Sequence, residues 1–428
     1  MTFSGKKEAL NLGLFRRHNE FFIVALSLAL QIPLAIFLGH YYDQKSFLDA
    51  GYLVSAGLNP YQTHFISVFS SNPSLIGLNP VIGDPPLWPL LLGAIYRLSY
   101  NITPNIFLYN FLTKIPVIAA NIALAYIIRN ILREQGASEK TIKFAWLFLL
   151  FNPFLLLTTA AWGQFDNVVA LLCVSSLYFL SKKMVKKSAV LLSLSVVLKP
   201  ISFPLLGLPL FFSPKKDWTK ILQYIVISVA IIVSFWILPF YLLGWTLPSS
   251  NVQLTSYFVR AGGVTPFNIV EFLQDTVTIP SGLSILGYIW IPALLLGYYF
   301  VYRDPPKTFN ELNRKAIGLM LIFFLTYSWL SEPYMDLVIV LVLLALPFTK
   351  VNFRNFHFLW VITLIFMILS TNFFQLFFLV SPTSITAFLA NADLYIRSWR
   401  LIAMFVVAVL FQIFGWRLVI EMFKQKKS

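Results

Sequence analysis

The sequence predicts an all-α polytopic membrane protein with about 12 transmembrane helices (roughly 11 to 13) and interfacial helices in its first external loop. Three observations carry this. Of 428 residues, 58% are hydrophobic and only 11% charged, against roughly 25% charged in a soluble domain. Apolar runs long enough to cross about 30 Å of hydrocarbon recur along the chain. Between them, Lys and Arg fall in compact clusters, as in loops kept on the cytoplasmic side.

Strong runs cover 20–39, 142–160, 166–181, 219–244, 280–302, 316–330, 334–348, 356–372 and 398–420. The first follows Lys6, Lys7, Arg16 and Arg17 and lacks an A-x-A-like exit, so it reads as a start-transfer anchor rather than a cleaved signal. Two stretches strain the parity. Residues 188–212 return between basic clusters and read as a hairpin of two short helices broken at Lys199-Pro200. Residues 85–128 make one net crossing although 87–99 and 106–128 both read as helices, the first partly re-entrant or interfacial.

The net charge of +15 would suggest nucleic acid in a soluble protein. Here 25 of the 32 basic residues mark the cytoplasmic loops, so the excess orients the chain and no nucleic-acid partner is expected. Both termini are then cytoplasmic and the protein is integral to the plasma membrane. The lone Cys173 excludes an internal disulfide. No repeat or soluble domain interrupts the chain, which reads as one integral membrane domain over 1–428.

The external stretches hold the unusual residues. Asp43 lies where the first span leaves the bilayer, where a carboxylate can be dehydrated enough to accept a proton and still reach a substrate. A helix over 45–56 follows, capped by Gly57. Within it Asp49 is placed to pair with Lys45 four residues away. His40 and His64 lack the carboxylates or cysteines of a metal site. The turn at 161–165 carries Gln164, and Asp166 is placed to cap the helix after it. Lys199 sits at membrane depth, where a cation costs roughly 2.5–3.5 kcal/mol and needs Asp166, Asp336 or an anionic ligand as partner. Arg260, before Gly262-Gly263, can offer donors to an anion.

In order along the chain come Asp43, Gly57-Leu58-Asn59-Pro60-Tyr61, Pro85-Pro86-Leu87-Trp88-Pro89, Lys114-Ile115-Pro116, Asn152-Pro153, Trp162-Gly163-Gln164-Phe165-Asp166, Leu198-Lys199-Pro200 and Thr265-Pro266-Phe267-Asn268. This series resembles the GT-C superfamily of polytopic glycosyltransferases, nearest the polyprenol-phosphate-mannose-dependent mannosyltransferases of bacteria and archaea and more distantly the GPI mannosyltransferase catalytic subunit. Likeness at Glu332 and Tyr334 is looser, and Asn121 stands where such sequences often have Asp.

The resemblance implies a hexosyltransferase of the 2.4.1 class, moving a sugar, mannose in the commonest case, from a polyprenyl-phosphate donor to a lipid or glycan acceptor. The reaction would occur on the extracytoplasmic face with inversion, in glycolipid biosynthesis. Asp43 would be the general base, and Lys199 and Arg260 would bind the donor phosphate. Asp49, Tyr61, Gln164, Asp166, Asn268 and Glu332 would contact substrate. No cofactor or metal is required, with room left for a divalent cation, and a small membrane subunit is a conceivable partner. Residues 1–268, with the external loop 40–86, would form the catalytic module, and 269–428 would shape the lipid-donor and acceptor cavity. The competing reading is a secondary transporter or glycolipid flippase. Against it stands the gathering of polar groups on one face rather than in paired midplane repeats.

Overall fold

The computed structural model describes residues 3–62, 65–66, 77–78, 82–212, 217–246, 262–274, 281–349 and 353–424. Its body is helical, and the described strands are two-residue pairings. The helices are α1 (Phe3–Phe37), α2 (Tyr41–Ser55), α3 (Leu87–Leu98), α4 (Ile106–Glu134), α5 (Glu139–Phe151), α6 (Pro153–Leu156), α7 (Asp166–Ser181), α8 (Val185–Leu198), α9 (Trp218–Ile232) and α10 (Leu238–Leu242). They continue with α11 (Ile269–Gln274), α12 (Trp290–Arg303), α13 (Phe309–Thr326), α14 (Met335–Ala345), α15 (Phe353–Leu369), α16 (Asn372–Gln375) and α17 (Pro382–Lys424).

Six described helical segments are long and apolar enough to cross a bilayer, and shorter apolar helices lie at Leu87–Leu98, Asp166–Ser181, Pro200–Phe211 and Arg354–Leu369. The extremes show how the lipid sorts them. Trp218–Leu242 has a mean hydropathy of 2.5 yet is 6% buried, exposing Leu222, Val226, Val229 and Ile237. Such a surface suits contact with hydrocarbon. By contrast every residue of α14 is buried. It is apolar all round because protein surrounds it, with α13, α15 and α7 as neighbours.

Prolines explain where the elements depart from simple spans. In α5, Asn152 ends the helix and its Oδ1 accepts from the Leu155 amide at 3.1 Å, restarting it at Pro153. The chain then widens into a π-helical stretch, Leu157–Trp162, closed by Gly163 at φ +89°. The second arm of the 188–212 hairpin is helical but not α-helical. After α8 run two short 3₁₀ segments, Pro200–Leu205 and Leu208–Phe211, because Pro200, Pro204 and Pro209 remove the amides a helix needs. At the other end of the chain, α17 begins 16 residues before the expected 398 and runs for 43 residues. No Pro or Gly interrupts it until Gly415. The helix expected from Lys45 starts at Tyr41 instead, which places Asp43 in its first turn.

The basic loops gather at one end. Arg129 pairs with Glu20 at 2.8 Å, Glu134 joins Lys182 and Tyr178, Lys315 meets Asp304 at 3.1 Å, and Arg314 donates to the Met422 carbonyl at 2.8 Å. At the opposite end two chain segments far apart in sequence are sewn together. Gly262–Gly263 runs parallel to Trp329–Leu330, Val264 N donates to Leu330 O at 2.8 Å, and Thr265 Oγ1 donates to Ser328 O at 3.2 Å.

Gly263 is required there twice over, by φ +66° and by a site where a Cβ would lie 2.1 Å from Leu330 O. Gly57 also has positive φ, +75°, but open space around it. Gly263→Ala is therefore expected to lower the melting temperature in detergent well beyond Gly57→Ala, whose strain costs only about 1 kcal/mol. Equal shifts would contradict the close contact.

Candidate active site

The site is built where α1 ends. The last carbonyls of a helix have no partner within it, and here two side chains from α4 take them. Asn110 Nδ2 donates to Ala35 O, at 2.7 Å, and Leu38 O, at 2.8 Å; Lys114 Nζ donates to Leu38 O at 2.6 Å and Ala161 O at 2.7 Å. The lysine thus ties the chain leading into α2 to the π-helical stretch that ends at Trp162. Gly163 lies so close that a Cβ would meet Lys114 Cε at 2.6 Å. Meanwhile α2 is locked against α3 and α4. Tyr109 OH donates to Phe47 O at 2.8 Å, and Gly51 and Gly93 leave space for Tyr109 and Val54.

These contacts aim Asp43 at the turn after Trp162. Its Oδ2 accepts from the Trp162 indole N–H and from Gln164 Nε2, the latter at 2.7 Å. Oδ1 has no hydrogen-bond partner among the described residues, and the side chain keeps 19% of its surface exposed. Gln164 is itself fixed from the far side. Its Oε1 accepts from Lys199 Nζ at 2.8 Å, and that ammonium pairs with Asp166 Oδ2 at 2.7 Å. Lys199 is 5% exposed and Asp166 fully buried, with the rings of Phe165 and Tyr334 about the ammonium at 5.0 and 4.9 Å. Trp88, from the Pro-Pro-Leu-Trp-Pro stretch, stacks on Phe165 at 4.0 Å and meets Phe47 of α2 edge-on. The three sequence motifs therefore meet in one packed unit.

His40 stacks on Trp162 at 4.2 Å, with Nδ1 3.5 Å from Asp43 Oδ2 and Nε2 3.3 Å from Asn372 Oδ1. Asn372 and Ser370 donate to Glu332 Oε1 at 2.9 and 2.8 Å. Burial raises the Glu332 carboxyl above its ordinary range despite these donors. Burial also raises Asp84 to about 7; Lys199 opposes the shift, and Asp43 and Asp166 add to it. Asp49 is pushed up to about 7 by burial.

Of the residues expected from sequence, Asp43, Gln164, Asp166 and Lys199 form one connected chain, and Glu332 joins it through Asn372 and His40. Lys199 takes Asp166 as its partner, whereas Asp336 accepts from Thr158 Oγ1 at 3.0 Å. The expected cap at Asp166 does not form, because its carboxylate is drawn to Lys199. Nor does Asp49 pair with Lys45, whose ammonium turns to Tyr41 OH at 3.5 Å and leaves Asp49 Oδ1 buried without a hydrogen-bond partner among the described residues. Tyr61 acts as a tether, its OH on Asp84 O at 3.0 Å and its ring stacked on Phe240. Asn268 Nδ2 reaches Gly263 O at 3.5 Å, within its own loop. Arg260 lies outside the described residues. Among those described, no three His, Cys, Asp or Glu side chains form a metal-holding group.

The sequence alone assigns no site role to Trp162, His40, Asp84, Lys114 or Asn372. Trp162 and Lys114 lie within the resembling motifs, and Asp84 immediately precedes the Pro85-Pro86-Leu87-Trp88-Pro89 stretch. His40 reads in sequence only as a metal ligand without companions. Asn372 carries no local signal, since its place comes from the fold alone.

A tethered carboxylate with one open oxygen, beside aromatic walls and a buried cation, suits proton abstraction from a hydroxyl. The model of glycosyltransferase family 87 matches residues 85–350. That span holds the Trp162–Lys199 half of the site, while Asp43 precedes it.

Removing Lys199 would strand Asp166 as an uncompensated buried charge, typically a loss of 3–5 kcal/mol. Lys199→Met is expected to destabilise the protein strongly, and adding Asp166→Leu is expected to recover much of the loss in detergent melting. Additive losses would show that the pair is not coupled.

Proposed function

The chain belongs to glycosyltransferase family 87 and is a membrane glycosyltransferase; from that premise we propose that it moves a hexose, mannose first, from a polyprenyl-phosphate donor to a lipid or glycan acceptor, inverting the anomeric carbon. The observation that carries the reading is Asp43, with Oδ2 held by Trp162 and Gln164 and Oδ1 open. A hydroxyl attacks poorly until a carboxylate within about 3 Å accepts its proton. In the proposed step the acceptor oxygen bonds to the anomeric carbon, its proton passes to Asp43, and the electron pair of the breaking C–O bond leaves on the lipid phosphate. One base acting in direct displacement gives inversion, and the step as written draws on no cofactor.

Lys199 and Arg260 are the proposed phosphate contacts, because cations stabilise charge developing on the leaving group. Lys199 has one ammonium proton beyond those given to Gln164 and Asp166. Facing Asp166 it contributes little net charge, which gives Arg260 the larger electrostatic part. Glu332 and Asp84 line the same region as proposed acceptor contacts. The extracytoplasmic placement is supported by the basic loops at the far end of the bundle, since such loops stay cytoplasmic. Both termini would then be cytoplasmic. Residues 1–268 carry all these groups except Glu332, in keeping with a catalytic module followed by cavity-shaping helices.

The test is transfer from radiolabelled polyprenyl-phosphate-mannose to a membrane lipid extract by the full chain. Asp43→Asn is expected to lower transfer by about 10²–10⁴-fold with an unchanged melting temperature. Full activity would overturn the base assignment. Transfer by the unmodified chain from a glucosyl donor alone would change the sugar and leave the mechanism standing.

A further inference from the structure

The two ring nitrogens of His40 have unlike neighbours. Nε2 lies 3.3 Å from Asn372 Oδ1, and that amide is oriented from its other side, because Asn372 Nδ2 donates to Glu332 Oε1 at 2.9 Å. Gln375 Nε2 also donates to Asn372 Oδ1, at 3.3 Å. Asn372 Oδ1 is therefore an acceptor, and Nε2 carries the ring proton. A neutral imidazole with Nε2 protonated has a bare lone pair on Nδ1. Nδ1 is buried, makes no hydrogen bond with the described residues, and faces Asp43 Oδ2 at 3.5 Å. Stacking on Trp162, with planes 13° apart, holds the ring in this pose. Two electron-rich atoms thus face each other across a gap that one proton would turn into a hydrogen bond.

We infer that His40 is the proton store for Asp43, an inference that rests on Asp43 being the base. The proton leaving the acceptor hydroxyl arrives on the open Oδ1. Rotation of the carboxyl about its Cβ–Cγ bond then carries it to face Nδ1, which takes it. Asp43 returns to the carboxylate while His40 becomes an imidazolium, with Nε2–H still on Asn372 and the Glu332 carboxyl behind that amide. The imidazolium loses its proton to water once product leaves, which closes the proton balance.

The charged and titratable groups about the ring are few. Asp43 faces it from α2, Glu332 stands behind Asn372, and Lys114 sits on the carbonyl of Leu38, two residues before it. Lys199, Asp166 and Asp84 lie beyond Gln164. Burial holds the imidazole below its ordinary 6.5 although Asp43 and Asn372 pull upward. The resting ring is therefore neutral at pH 7 and free to accept.

Two measurements on the full chain test this. The protein has four histidines, so ¹⁵N-histidine spectra in nanodiscs, with His40→Phe for assignment, read the tautomer directly. The expected signal at pH 7.5 is Nε2–H with bare Nδ1, protonating below pH 6.5. An Nδ1–H tautomer would overturn the inference, whatever the variants do. In the transfer assay His40→Phe retains the stack on Trp162 but has no basic nitrogen. Its kcat at pH 7 is expected to fall about 10- to 100-fold, with KM for the donor unchanged and one protonation lost from the acid limb of kcat/KM. A kcat within twofold of the unmodified chain, beside an inactive Asp43→Asn, would refute proton storage alone. An active Asp43→Asn would refute the base assignment beneath it.

Discussion

A lysine and an aspartate closed off from water set the terms for the rest of the site. Lys199 comes at the end of α8 and Asp166 at the start of α7, and each alone would be an expensive charge at that depth. Together they need a third group, since one carboxylate does not satisfy an ammonium's three protons. Gln164 supplies it, and in doing so spends its carbonyl oxygen on Lys199 and turns its amide nitrogen toward Asp43. The orientation of the open carboxylate is thus a consequence of neutralising a buried ion pair. Around that line the surrounding structure is support: the π-helical stretch sets Trp162, the ammonium of Lys114 fixes its distance from α2, and Trp88 packs the motifs together.

Electrostatics also separates binding from chemistry. Asp84, Asp166 and Asp336 lie about Lys199, Asp43 and Glu332 lie close to one another, and Lys199 is the one described ammonium that pairs with any of the five. A region so rich in acid holds an anionic donor only if several carboxyls are protonated or if cation is added. Burial moves Asp84 to about 7 and Glu332 above its ordinary range, which lowers the negative charge that the proposed donor would meet, and Arg260 is the cation proposed to offset the rest.

Much of the architecture was legible because lipid makes simple demands. Long apolar runs and clustered Lys and Arg indicated helices and a shared basic end, and both are present. What failed was local. Pro200, Pro204 and Pro209 turned an expected helix into 3₁₀ segments, and a stretch without Gly or further Pro carried α17 back to Pro382. For the site, Asp43, Gln164, Asp166 and Lys199 stood out as polar groups in apolar surroundings. The pairing of Asp49 with Lys45 that their spacing suggests does not form and Asp49 is buried instead, because pairing and exposure depend on neighbours that spacing does not reveal. His40 and Asn372 needed the fold to bring residues 332 apart in sequence together. The family match supports the transferase to which the motif order pointed, over the transporter that composition alone leaves open.

The most direct measurement is the transfer rate of Gln164→Glu. This change keeps the side chain's shape and its acceptor for Lys199, but replaces the donor facing Asp43 with a second carboxylate. The expected result is a protein with a melting temperature within a few degrees of the unmodified chain, whose transfer falls about 100-fold at neutral pH. Undiminished transfer would contradict the account at its centre, because Asp43 would then act without the partner that orients it.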